Sequence, residues 1–129
     1  MSRILVVDDE KSMREFLDIA LSQEGYQIIT AENGYKAIDI LQDQPPDLVI
    51  TDMKMSGKTG MDVLAEAKEV SSFLPVVMIT AYSSTNDAVE TMKLGAVDYI
   101  IKPFNLEELK LIAKNALEKG TLKQENVYL

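Results

Sequence analysis

A chain of 129 residues, 47% hydrophobic and 26% charged with a net charge of -8, has the size and composition of one globular domain with a single core. It holds no cysteine and no histidine, which excludes disulfides, thiolate catalysis, Ser-His-Asp triads, histidine bases and the usual zinc sites. Any metal must therefore sit on oxygen, and the acidic balance argues against this domain gripping nucleic acid by itself.

No apolar run is long enough to span a membrane and the N-terminus lacks a signal-peptide pattern, so a cytoplasmic setting is expected. The first β-prone run, Ile4–Val7, ends directly in Asp8, Asp9 and Glu10. A helix follows, with Met13, Leu17, Ala20 and Leu21 on one stripe, Ile19 off it, and a stop at Gly25. The second run, Gln27–Thr30, leads to a helix over about Gly34–Gln42 that ends before Pro45-Pro46. The third, Leu48–Thr51, is followed by Asp52 and a helix over about Gly60–Val70. The fourth, Val76–Thr80, precedes a helix opening at Ser84, with Asp87 three residues on as a variant capping box, and closing at Gly95. The fifth, Val97–Ile101, is followed by Lys102-Pro103 and a helix from about Asn105 carrying Leu106, Leu109, Ile112, Ala113, Ala116 and Leu117.

Five β-α units in series predict an α/β fold: a five-stranded parallel sheet, doubly wound, with helices on both faces. Several of the runs are near-continuous Val, Ile and Leu, as strands covered on both faces require. In such sheets ligands bind at the carboxyl ends of the strands. In the flavodoxin-like order, 2-1-3-4-5, the first and third strands are neighbours, so Asp8, Asp9 and Asp52 meet at one edge with Thr80 and Lys102 nearby.

Carboxylates about 4 Å apart repel by roughly 4 kcal/mol at an effective dielectric near 20. Lys102 supplies one positive charge, too little for three carboxylates, whereas magnesium (Mg2+) would add two and favours one or two carboxylates, several waters and a phosphate oxygen. A carboxylate can also act as a nucleophile and form an aspartyl phosphate, with Thr80 and Lys102 as donors to the phosphoryl oxygens.

The stretches "VVDDE", Asp52 after "DLVIT", "MITAY" and "DYIIKPF" resemble the receiver domain of bacterial two-component response regulators, over essentially the whole chain. The resemblance implies phosphorylation of Asp52 by a sensor histidine kinase, and magnesium held by Asp8, Asp9, Asp52 and the backbone carbonyl of Lys54. It implies that Thr80 and Lys102 bind the phosphoryl oxygens, that Tyr99 is the aromatic switch that follows Thr80, and that Lys102-Pro103 is a cis peptide. The output is then read on the face of helix 4, strand 5 and helix 5, through a homodimer, and Ile19 is a candidate contact for the kinase.

The tail "ALEKGTLKQENVYL" resembles the helical linker of NtrC-type activators, which act with an alternative sigma factor. A receiver over residues 1–119 and the start of a linker over 120–129 are therefore expected. The chain departs from the family pattern at Ser56, where a proline is usual, which predicts a more mobile Ser56-Gly57 loop.

Other readings of the same residues are weaker. Gly57-Lys58-Thr59 mimics the end of a nucleotide-binding P-loop, but Asp52 stands where that motif needs glycine. A magnesium-dependent aspartyl-phosphate phosphatase would carry an Asp-x-Asp pair after the first strand and a cap domain, where this chain has adjacent Asp8-Asp9. A flavodoxin would need a Ser/Thr/Gly loop there. The bland alternatives are a solvated acidic edge, a packing role for Tyr99 and an ordinary exposed isoleucine at 19.

Overall fold

The computed structural model describes residues 1–81 and 85–128, with residues 85 and 121–128 described by their backbone only. Its elements alternate: β1 (Arg3–Val7), α1 (Lys11–Ser22), β2 (Gln27–Ala31), α2 (Gly34–Asp43), β3 (Leu48–Asp52), α3 (Gly60–Val70), β4 (Val76–Thr80), α4 (Thr85–Lys93), β5 (Asp98–Ile101) and α5 (Leu106–Tyr128). All strand pairs are parallel and the sheet runs β2-β1-β3-β4-β5, the order expected from the β-α alternation.

Alternation along each strand sorts the core into two layers. Ile4, Val6, Leu48, Ile50, Val77 and Ile79 face α1 and α5, where Leu17, Leu21, Leu109 and Ala113 meet them. Leu5, Val7, Val49, Val76 and Met78 face the opposite side, against Ala37, Leu41, Val63, Leu64 and Ala67 of α2 and α3. β1, β3 and β4 are therefore covered on both faces, which is why their sequences are almost unbroken apolar runs.

The boundaries differ from the sequence reading in a few informative places. Asp52 is the last residue of β3, paired opposite Ile79, and so is held by strand geometry instead of following the strand. β5 begins at Asp98, although the amide of Val97 still donates to Val76 O at 2.9 Å. The expected cap at Ser84 lies outside the described residues. Asn105 does cap α5, its side-chain oxygen accepting from the amides of Glu107 (2.8 Å) and Glu108 (3.3 Å).

Helix α5 runs unbroken through the expected boundary at residue 119. Gly120 sits buried where the helix crosses the start of β4, and a Cβ there would lie 3.2 Å from Pro75 Cδ.

Candidate functional site

The carboxyl edge is assembled by register. Val7 pairs with Ala31 on one side and Thr51 on the other, so the residues that follow β1 and the end of β3 come out side by side. Asp8, Asp9 and Asp52 each present a carboxylate oxygen, and these lie within 4.8 Å of one another. Asp8 is 2% and Asp52 9% exposed, whereas Asp9 faces solvent.

Asp8 is fixed from several directions. Its Oδ1 accepts from the amide of Glu10 at 2.9 Å, and its own amide donates to Ala31 O at 3.2 Å. Arg14, one turn into α1, donates from Nη1 to the Asp8 carbonyl at 2.7 Å. Arg14 went unnoticed in the sequence, where a helical arginine six residues past an aspartate gives little sign of a tertiary role.

Lys102 comes from the far side of the sheet. Its amide donates to Thr80 O at 2.7 Å, tying the ends of β4 and β5 together. Its ammonium lies 3.1 Å from Asp8 Oδ2 and 3.8 Å from Asp52 Oδ2, with the lysine side chain 15% exposed. The peptide to Pro103 is cis, as the family resemblance implied.

Asp52 has its carboxyl pushed up to about 6. Burial is the main cause; the charges of Asp8 and Asp9 add to it, while Lys102 and the amide of Met53 oppose it. One cation cannot balance the cluster, and Asp52, at the end of β3, carries the penalty.

Thr80 is fully buried at the end of β4, one position past the residue that pairs with Asp52. Tyr99 pairs with Met78, and its ring is partly buried against the α2–α3 core layer. Its hydroxyl is held above the usual tyrosine range by burial, with a smaller push from Asp87 on α4. Lys54 lies exposed in the loop between β3 and α3, flanked by buried Met53 and Met55.

That loop closes on itself: the amide of Gly60 donates to Met53 O at 2.8 Å, and a Cβ at Gly60 would collide with Asp52 O and Met53 Cα. The Thr59 hydroxyl and the Asp62 carboxylate form a capping box at the start of α3, with Thr59 N to Asp62 Oδ2 at 2.8 Å. The amides of Thr59 and Gly60, which a P-loop would offer to phosphate, are taken by Asp62 Oδ2 and Met53 O. Ile19 is exposed on α1, off the apolar stripe, as expected.

Together these features define a doubly wound α/β domain with an oxygen-only acidic pocket at the carboxyl edge, able to hold a metal beside a desolvated lysine. The chain belongs to the response regulator receiver domain family, whose model matches residues 4–114. Receiver domains are regulatory phosphoacceptor modules of phosphorylation-based signalling that work with histidine kinases and output domains.

The chain is 39% identical to regulatory protein AtoC of Escherichia coli over 125 residues, covering 97% of this chain and 27% of that protein. It is 36% identical to sporulation initiation phosphotransferase F of Bacillus subtilis, covering 89% of this chain and 93% of that one. The structure of NtrX from Brucella abortus superposes with a TM-score of 0.91 at 38% identity, covering 98% of this chain and 29% of NtrX. The chain thus spans about a quarter of AtoC's length and under a third of NtrX's. Among the described residues no helix is long and apolar enough to cross a membrane.

Proposed function

We propose that the domain is a phosphorylation switch in which Asp52 accepts a phosphoryl group from a sensor histidine kinase, with Mg2+ held by Asp8, Asp9, Asp52 and the carbonyl of Lys54. The observation that carries this reading is the set of three carboxylates within 4.8 Å, two of them buried, facing the single charge of Lys102. An all-oxygen donor set with one solvent-facing member suits a hard divalent ion that keeps several waters. When bound, magnesium would neutralise charge on the phosphoryl oxygens as a Lewis acid.

The chain's own residues do the rest. An Asp52 carboxylate oxygen forms the new O–P bond as the N–P bond of the phosphohistidine donor breaks, and the departing imidazole nitrogen takes up a proton from water. The hydrogen bonds of Glu10 N and Arg14 hold Asp8 in place throughout. Lys102 turns its ammonium from the Asp8–Asp52 gap to a phosphoryl oxygen, and the Thr80 hydroxyl donates to another. Because Lys102 N is bonded to Thr80 O, movement of Thr80 is felt directly in the β5–α5 connection.

Tyr99 follows, since it lies on β5 with its ring in the core layer beside α4. The output is read on the α4–β5–α5 face, where Val89, Met92, Leu94, Ile101 and Leu111 are exposed, and where a homodimer forms. Residues 120–129 begin the linker to an output domain of the NtrC type, a reading supported by relatives in which the receiver is only a part.

Calorimetric titration with Mg2+, beside phosphate release from p-nitrophenyl phosphate, tests this reading. Saturable binding weakened by Asp9→Asn, without sustained turnover, is expected. Sustained release of phosphate would make the chain a phosphatase, and absence of Mg2+ binding would remove the basis of the proposal.

A further inference from the structure

Tyr35 is 60% exposed, yet its ring does not stand free. Gly57, in the loop after Asp52, adopts φ +77, and a Cβ built there would lie 2.9 Å from Tyr35 Cε2. The preceding residue makes the reciprocal contact. A Cβ on Gly34 would collide with Lys58 Cβ and lie 2.6 Å from Lys58 O. The first turn of α2 and the β3–α3 loop therefore interlock through two glycines, each clearing space for the other segment.

The two sides of this interlock differ in rigidity. α2 is anchored by Ala37 and Leu41, both fully buried, and by the Asn33 cap on Lys36 N at 2.8 Å. It also shares a frame with the acidic pocket, because β2 ends at Ala31, whose carbonyl receives the amide of Asp8. The loop has less of its own: Lys54, Ser56, Gly57 and Lys58 are exposed, and Ser56-Gly57 offers no proline to stiffen it. Its ends are tied down, at Asp52–Met53 and at the capping box on α3, and Met55 is buried in the core, so the exposed stretch that Tyr35 reaches is Ser56–Lys58.

We propose that Tyr35 is a positioning residue for the acceptor site: its ring braces Gly57 and thereby holds the β3–α3 loop, with Lys54 in it, in register with Asp52. The ring supplies across the loop the stiffness that a proline would supply within it. This rests on the reading of Lys54 as a metal-facing residue. Residues outside a metal's immediate ligands commonly set its affinity in this way.

Tyr35→Ala and Tyr35→Phe, compared with the parent, test the proposal by two readouts. The first is amide hydrogen exchange of residues 53–60 in the metal-free protein, and the second is Mg2+ affinity by calorimetry. Tyr35→Ala should speed exchange in the loop and weaken Mg2+ binding, each by roughly tenfold, with the urea midpoint almost unmoved. Tyr35→Phe keeps the ring and should restore both.

Unchanged loop exchange in Tyr35→Ala would overturn the bracing role. Faster exchange with unchanged Mg2+ affinity would overturn the link to the site. If the parent itself binds no Mg2+, the assignment of the site fails, while loop exchange still decides whether Tyr35 braces the loop.

Discussion

Asp52 is destabilised by its own ionisation. In the folded domain its carboxyl is pushed up to about 6, whereas an unfolded chain leaves it near the ordinary aspartate value of 3.8. Between those values the folded state holds a proton that the unfolded state has lost, so stability falls as pH rises through that window. The metal-free parent should therefore be more stable at pH 4.5 than at pH 7. Asp52→Asn should abolish most of that difference, gaining about 1–3 kcal/mol at pH 7 by urea unfolding.

Lys102 has the opposite effect. Lys102→Ala leaves Asp8 and Asp52 facing each other without the ammonium at 3.1 and 3.8 Å, and should cost about 2 kcal/mol at neutral pH, with partial relief in acid. A surface lysine would show neither the loss nor its pH dependence.

Among the elements, the loop from β3 to α3 carries most of what the sequence left unread. The expectation from Ser56-Gly57 was mobility, argued from residue types within the loop. Residues distant in sequence, Tyr35 and Gly34 on α2, also bear on the loop, as do the carbonyls of Asp52 and Met53 beneath Gly60. Gly60→Ala drives a Cβ into that backbone and should cost about 1–3 kcal/mol in urea unfolding, more than the helix propensity of alanine returns.

The strands and most helices were legible because apolar runs and Gly or Pro stops are local signals. The third helix spans Gly60–Val70 as its pattern predicts, and its Thr59–Asp62 capping box is masked in the sequence by the more conspicuous P-loop-like glycines and lysine. Asp8, Asp9, Asp52, Thr80 and Lys102 were legible for a different reason. They are the residues at the ends of β1, β3, β4 and β5, so strand order alone brings them to one edge. Arg14 and Tyr35 were not, because their partners are a backbone carbonyl and a glycine, which leave no pattern of residue types.

For the whole molecule, the proposed switch requires that one small group tip the balance between two states. Moving from about 1:99 to 99:1 requires roughly 5.5 kcal/mol of differential stabilisation. In the proposed switch a phosphoryl group on Asp52 would meet Lys102 and Thr80, whose backbones are bonded to each other at the β4–β5 edge, next to the exposed apolar residues of α4, β5 and α5. Phosphorylation should accordingly shift the sedimentation coefficient of the domain. Met92→Lys, on the exposed side of α4, should remove the shift while leaving phosphoryl uptake intact.

The most direct test of the central claim is intact mass after incubation with Mg2+ and acetyl phosphate, for the parent and for Asp52→Asn. Here an Asp52 oxygen would form the O–P bond while acetate departs. Gain of one phosphoryl group by the parent alone is the predicted result. Equal gain by both proteins would place the phosphoryl group elsewhere, and gain by neither, with Mg2+ bound, would contradict Asp52 as an acceptor from small donors.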